Sequence, residues 1–226
     1  MLNKTETKAV VKAFTDALMV TSFNDITLRD VAGRANVPLA KLLMSYSSKL
    51  DLFEAFAKQI DELVLAEDDP DMGEEPPRER LFDVFMRRYD ALVPYKLALI
   101  QLGTDARRDP ALTMSLGRIA SKSMARMAAS ADLDVDGPRG ALVVAGMVQV
   151  YARVMRVFLK ETDEGQAQTM AELDKALRQA ERRIGDVDGL VMLMRGEGGA
   201  NGGPLCRLRE RMNRNKPDHG AQAEAA

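Results

Sequence analysis

The chain has 226 residues, a formal net charge of −2, 5% aromatic residues, no Trp, one Cys and one His. The lone Cys206 rules out an intrachain disulfide and a cysteine metal cluster, and the lone His219, in a polar stretch, rules out a histidine-based dyad or metal site. Frequent Met beside abundant Ala, Leu, Arg and Glu predicts an all-α protein.

The first helix is expected over residues 4–21, where Ala9, Val10, Ala13, Phe14, Ala17 and Leu18 recur at helical spacing. Lys4, Lys8 and Lys12 form a row on another face. Residues 27–53, TLRDVAGRANVPLAKLLMSYSSKLDLF, read as helix, turn, helix and the start of a third. Thr27 is a good N-cap with Asp30 three residues on. Asn36 sits where the chain must turn and tolerates left-handed backbone. Pro38 suits a first helical turn. Leu39, Leu42, Leu43 and Tyr46 give the next helix an apolar side, and Ser47 and Ser48 offer a fresh cap. This is the supersecondary unit whose second helix enters the DNA major groove.

Charge is unevenly spread. Among the first fifty residues seven bases face four acids, about +3, whereas 67–75 holds six acids and no base. The acidic run, followed by Pro76 and Pro77, marks a boundary between a head at 1–66 and a larger body at 76–185. Its charge predicts that it projects away from DNA.

The body reads as further amphipathic helices. Phe82, Phe85, Met86, Tyr89, Leu99, Met124, Met127, Met147 and Tyr151 lie on apolar stripes and are the candidate lining of an apolar pocket. A helix starting at Gly137 and Pro138 is apolar nearly all round, with Gly140, Ala141, Ala145 and Gly146 small enough for close helix approach. The last helix, near 166–187, is amphipathic. Together the two carry surplus apolar surface, and a homodimer through 139–160 and 168–183 is expected. Residues 186–226 turn glycine-rich, then basic, and read as a disordered tail. Within it lie a short apolar island, Leu190–Met194, and a basic cluster at Arg207, Arg209, Arg211, Arg214 and Lys216.

No signal peptide is expected, and the most apolar run is interrupted by Arg153 and Arg156, so a soluble cytoplasmic protein is expected. No phosphate loop, dinucleotide fingerprint, catalytic constellation or metal spacing is present in the sequence. A non-enzyme with no cofactor is expected.

Phe14, Leu18, Phe23, Ile26, Thr27, Asp30, Val31, Ala32, Ala35, Val37, Tyr46, Ser48, Lys49, Leu52 and Phe53 carry a family resemblance over about residues 7–60. The stretch resembles the N-terminal domain of TetR-type transcriptional regulators. The resemblance implies a three-helix helix-turn-helix head on a helical ligand-binding and dimerisation body. It implies a homodimer that binds double-stranded operator DNA and answers to a small apolar ligand or lipid. Thr27, Arg29, Pro38, Lys41, Leu42, Leu43, Ser45, Tyr46 and Lys49 would be the DNA-binding set. The recognition helix departs from the family pattern of lysine, small residue, threonine, tyrosine and histidine: here it runs Leu39, Ala40, Lys41, Leu42, Leu43, Met44 and Ser45. The body, from about Leu81 to Arg183, is also similar to a branch of this fold that has lost DNA binding. That branch comprises lipid-binding accessory proteins of ubiquinone biosynthesis, and it implies peripheral membrane contact and a packed Leu43.

Overall fold

The protein is described here by a computed structural model that covers residues 1–67 and 70–194. Among the described residues there are nine α-helices, two short 3-10 turns and no strand. The all-α expectation therefore holds. The chain divides into a unit from Met1 to Arg178 and a second from Gln179 to Ala226. The helix-turn-helix and the helices packed on it lie in the first.

Helix α1, Lys4–Leu18, begins at a capping box: Asn3 Oδ1 accepts the Glu6 N–H, and Glu6 Oε2 accepts the Asn3 N–H, each at 2.8 Å. Val10, Phe14, Ala17 and Leu18 form its buried stripe. It ends before residue 21 because Val20 and Thr21 are β-branched and Ser22 competes for backbone groups.

Helix α2, Leu28–Arg34, is capped by Thr27, whose Oγ1 accepts the Asp30 N–H at 3.1 Å. Asn36, at φ +52°, makes the turn. Pro38 is the cap residue of helix α3, Leu39–Leu43, one position before the expected first turn. Ser48 and Asp51 form a second capping box at the start of helix α4, Lys49–Ala66.

Helices α5 (Pro77–Leu92), α6 (Lys96–Ala106), α7 (Pro110–Ser130), α8 (Gly137–Phe158) and α9 (Ala167–Met194) follow. Helix α4 packs on α1, α5 and α7, and α8 packs on α7. Head and body share a core: Ala98 and Leu102 of α6 and Leu112 of α7 close on Phe14, Phe23, Val31 and Leu42. A second tie is polar. Buried Asp105 of α6 accepts the Phe23 N–H at 2.7 Å.

Two sequence expectations need correction. Gly140 is small for a different reason than helix–helix approach: a Cβ there would lie 2.0 Å from the Val135 carbonyl carbon. The loop before α8, turned by Gly137 at φ +63°, folds back over the helix's first turn. Residues 186–194, expected to belong to the tail, are the end of α9, which continues to Met194. Single glycines at 185 and 189 cost a helix only about 1 kcal/mol each, and the run Leu190–Met194 is built mainly from good helix formers. The basic cluster at Arg207–Lys216 lies outside the described residues.

Candidate nucleic-acid interface

Five residues make α3, and their period decides which side chains face outward. Leu39, Leu42 and Tyr46 are spaced by three and four and turn toward the head core, with Leu42 fully buried. Leu42 was read from the sequence as a DNA contact. The structure corrects this, because its side chain seals α3 against the core.

The polar side chains of α3 and the turn after it are held by α1 and the residues just before it. Lys41 Nζ lies 2.6 and 2.7 Å from the two carboxylate oxygens of Glu6. Ser45 Oγ accepts the Leu2 N–H at 3.0 Å. The Asn3 backbone N–H and the Lys41 ammonium both stabilise the ionised Glu6 carboxyl and hold it below its usual range. What remains outward on α3 and its C-terminal turn is apolar: Leu43 is 47% exposed and Met44 73% exposed, beside exposed Pro38 and Ala40.

Lys49 is likewise engaged within the head. Read from the sequence as a phosphate anchor, it donates to the carbonyls of Phe23 at 2.5 Å and Asn24 at 3.1 Å. Its ammonium also sits 4.7 Å from the Phe23 ring centroid. Burial pulls its pKa below the usual lysine value. It fastens α4 to the loop after α1. Thr27 Oγ1 is likewise committed, donating to Asp30 Oδ2 as it caps α2. Arg29 and Arg34 on α2 and Lys4 and Lys8 on α1 are exposed, with no ion pair among the described residues.

No family model and no curated protein matches the chain. Solved structures do. A TetR transcriptional regulator from Nitrosomonas europaea ATCC 19718 superposes with a TM-score of 0.61 at 19% identity, covering 77% of this chain and 97% of that one. A second, from Rhodococcus sp. RHA1, superposes with a TM-score of 0.58 at 16% identity, covering 78% and 96%. The fold is TetR-like.

In the body of this TetR-like fold the expected pocket residues form a packed aromatic and methionine core. Phe85, Tyr89 and Tyr151 form a triangle of rings, with centroid distances of 6.5 Å (Phe85–Tyr89), 5.9 Å (Tyr89–Tyr151) and 6.4 Å (Phe85–Tyr151), and Tyr89 meets Phe158 at 5.1 Å. The Tyr89 hydroxyl donates to the Tyr151 carbonyl at 3.1 Å, and burial pushes its pKa well above the usual value. Met124, Met127 and Met147 are buried; Phe82, Met86, Leu99 and Tyr151 are half-buried. Phe158 was missed, although it stands seven residues after Tyr151 on the same helical face.

Beside this core lies an ionic cluster that the sequence did not suggest. Asp61 of α4, 1% exposed, accepts from Arg88 of α5 and from Ser123 and Arg126 of α7. Arg88 also lies over the Tyr151 ring, 5.3 Å from its centroid. The connector between head and body is thus tied to three body residues through one carboxylate. Away from the expected pocket, a cleft of about 610 Å³ opens between α1 and α4, lined in part by Lys4, Lys8, Lys12, Glu62, Leu63 and Tyr95.

Proposed function

We propose that the chain is a TetR-type DNA-binding transcriptional regulator that acts as a homodimer in the cytoplasm, and is not an enzyme. The observation that carries this is the helix-turn-helix itself. It keeps its cap, turn and outward α3, and it belongs to a fold whose solved examples are named as transcriptional regulators. Exposed Arg29, Arg34, Lys4 and Lys8 supply charge suited to phosphates, which dominate DNA affinity. Of the DNA-binding set read from the sequence, Thr27, Arg29, Pro38, Leu43 and Ser45 are on the surface, and Lys41, Tyr46 and Lys49 are half-buried.

Support for the dimer comes from α8. Met147, Val150, Val154 and Phe158 are buried within the protomer, while Ala141, Leu142, Ala145 and Ala152 are exposed on another face. Leu142 is 65% exposed. A stripe of small and apolar side chains on a long helix suits close packing against a second copy. By length and composition α8 could also cross a membrane, but its inner face is used to pack the body.

The Phe85–Tyr89–Tyr151 stack with its methionines is the proposed response element for a small apolar ligand or lipid. A ligand that prefers one packing of this core shifts the Asp61 tie and hence α4, which carries the head. The accessory-protein resemblance requires a packed Leu43. Its exposure gives that reading no support.

Filter binding of the purified protein to sheared genomic fragments, with excess competitor DNA, tests the reading. Retention of a small subset of fragments is expected. Equal retention of all fragments, or none, contradicts it.

A further inference from the structure

We propose that Leu43 and Met44 are the base-reading residues of α3 and that they select thymine 5-methyl groups in the major groove. The proposal rests on the DNA-binding reading above. It follows from which side chains on α3 are free. Lys41 is closed on Glu6, Ser45 Oγ is used by Leu2, and Leu42 and Tyr46 face the core. Within Leu39–Leu43 the only hydrogen-bonding side chain that could answer the major-groove code is Lys41, and it is paired with Glu6. The one feature of a base edge that an apolar side chain recognises there is the thymine methyl.

The two residues are not adventitious exposures. Leu43 follows directly after buried Leu42 in a five-residue helix, so the packing that hides Leu42 fixes Leu43 outward. Met44 continues the same turn, with its N–H held by the Ala40 carbonyl at 3.1 Å. A flexible, polarizable Met beside a rigidly placed Leu gives one fixed and one adaptable contact. The occupant is set by charge. The tip stands on a head that bears exposed Arg29 and Arg34 on α2 and Lys4 and Lys8 on α1. That setting matches a phosphate-flanked groove. Polar side chains elsewhere in the head position the duplex, and the apolar tip discriminates.

The test uses full-length protein and a random duplex library. Duplexes enriched by selection are resynthesised with deoxyuridine in place of thymidine at single positions, which removes one methyl and nothing else. Each critical methyl is expected to be worth roughly three- to five-fold in affinity, the value of burying one methyl-sized group. Leu43→Ala or Met44→Ala is expected to abolish the thymidine–deoxyuridine difference at its own position while leaving the salt dependence unchanged. Both residues are exposed, so the variants keep the wild-type melting temperature. Enrichment with no loss on deoxyuridine substitution, or an equal loss in wild type and both variants, overturns this proposal and leaves the DNA-binding reading standing. No enrichment at all overturns both. Binding of the wild type to phosphatidylglycerol vesicles, lost in Leu43→Ser, in a protein that enriches no duplex assigns the tip to a membrane and likewise overturns it.

Discussion

Lys41 of α3 and Glu6 of α1 form an ion pair in which one ammonium spans both carboxylate oxygens at 2.6 and 2.7 Å. The same Glu6 closes the capping box at Asn3. One carboxylate thus starts the first helix and restrains the only cation of α3. Freeing that cation is expected to add a phosphate contact. Glu6→Gln should tighten binding to all sequences and steepen the salt dependence by about 0.9 in slope. Adding Lys41→Ala should return the slope to the wild-type value. An unchanged slope in Glu6→Gln would show that Lys41 is not withheld from DNA by this pair.

Lys49 gives the opposite expectation to a phosphate anchor. Its ammonium serves two carbonyls and one aromatic face within the head. Lys49→Met should lower thermal stability, by about 1–3 kcal/mol for carbonyls left without their charged donor, and leave the salt slope alone. A reduced slope at unchanged melting temperature would restore the anchor role.

The Asp61 cluster predicts a large effect. Asp61→Ala leaves Arg88, 3% exposed, as a buried cation without its carboxylate. Breaking such a pair costs about 3–5 kcal/mol, a fall of roughly 6–20 °C in Tm for a chain of this size. Calorimetry showing a shift under 2 °C would refute the view that this carboxylate ties α4 to the body.

These three contacts also show how far the sequence could be read. Thr27 capping α2, Asn36 turning at positive φ and Gly137–Pro138 opening α8 are local features, and each was legible from neighbouring residues. So was the TetR-like head. The pairs that decide the candidate site are not local. Lys41 meets Glu6 across 35 residues, Lys49 reaches back 26 to Phe23, and Asp61 gathers partners 27, 62 and 65 residues away. A charge in a helical pattern shows which face it occupies, not which distant partner it finds. That is why Lys41 and Lys49 read as free cations. Leu42 and Leu43 are adjacent and chemically identical, and only packing separates the sealed one from the exposed one.

Dimerisation can be tested without disturbing the protomer. Val154 is fully buried inside it, so charge there would unfold the chain rather than split a dimer. Leu142 is mostly exposed. Leu142→Glu should sediment as a monomer at micromolar concentration with wild-type helicity, because a charge forced into an apolar interface lacks a partner. A wild type that already sediments as a monomer would contradict the interface.

Glu161 should give stability a pH dependence. It is 5% exposed, and its oxygens accept the N–H groups of Gln168 and Thr169 at 2.8 and 2.9 Å at the start of α9. Burial raises its pKa, but the Thr169 hydroxyl and these two N–H groups outweigh it and hold the carboxyl below 4.5. A folded pKa below the unfolded one gives stability that is present above the unfolded value and lost as pH falls through the folded value. The Tm gap between wild type and Glu161→Gln should be constant from about pH 6 to 7 and close below about pH 4.5. A gap independent of pH would show that the charge is not what α9 uses.

In the proposed regulator a dimer presents two copies of α3 to successive major grooves. Hydroxyl-radical footprinting of the wild-type protein on a retained genomic fragment tests it most directly. Two protected patches are expected on one face of the duplex, about one helical turn apart or slightly more, both lost together in Leu142→Glu. No protected patch at concentrations that retain the fragment, or a single patch unchanged in the monomeric variant, would contradict it.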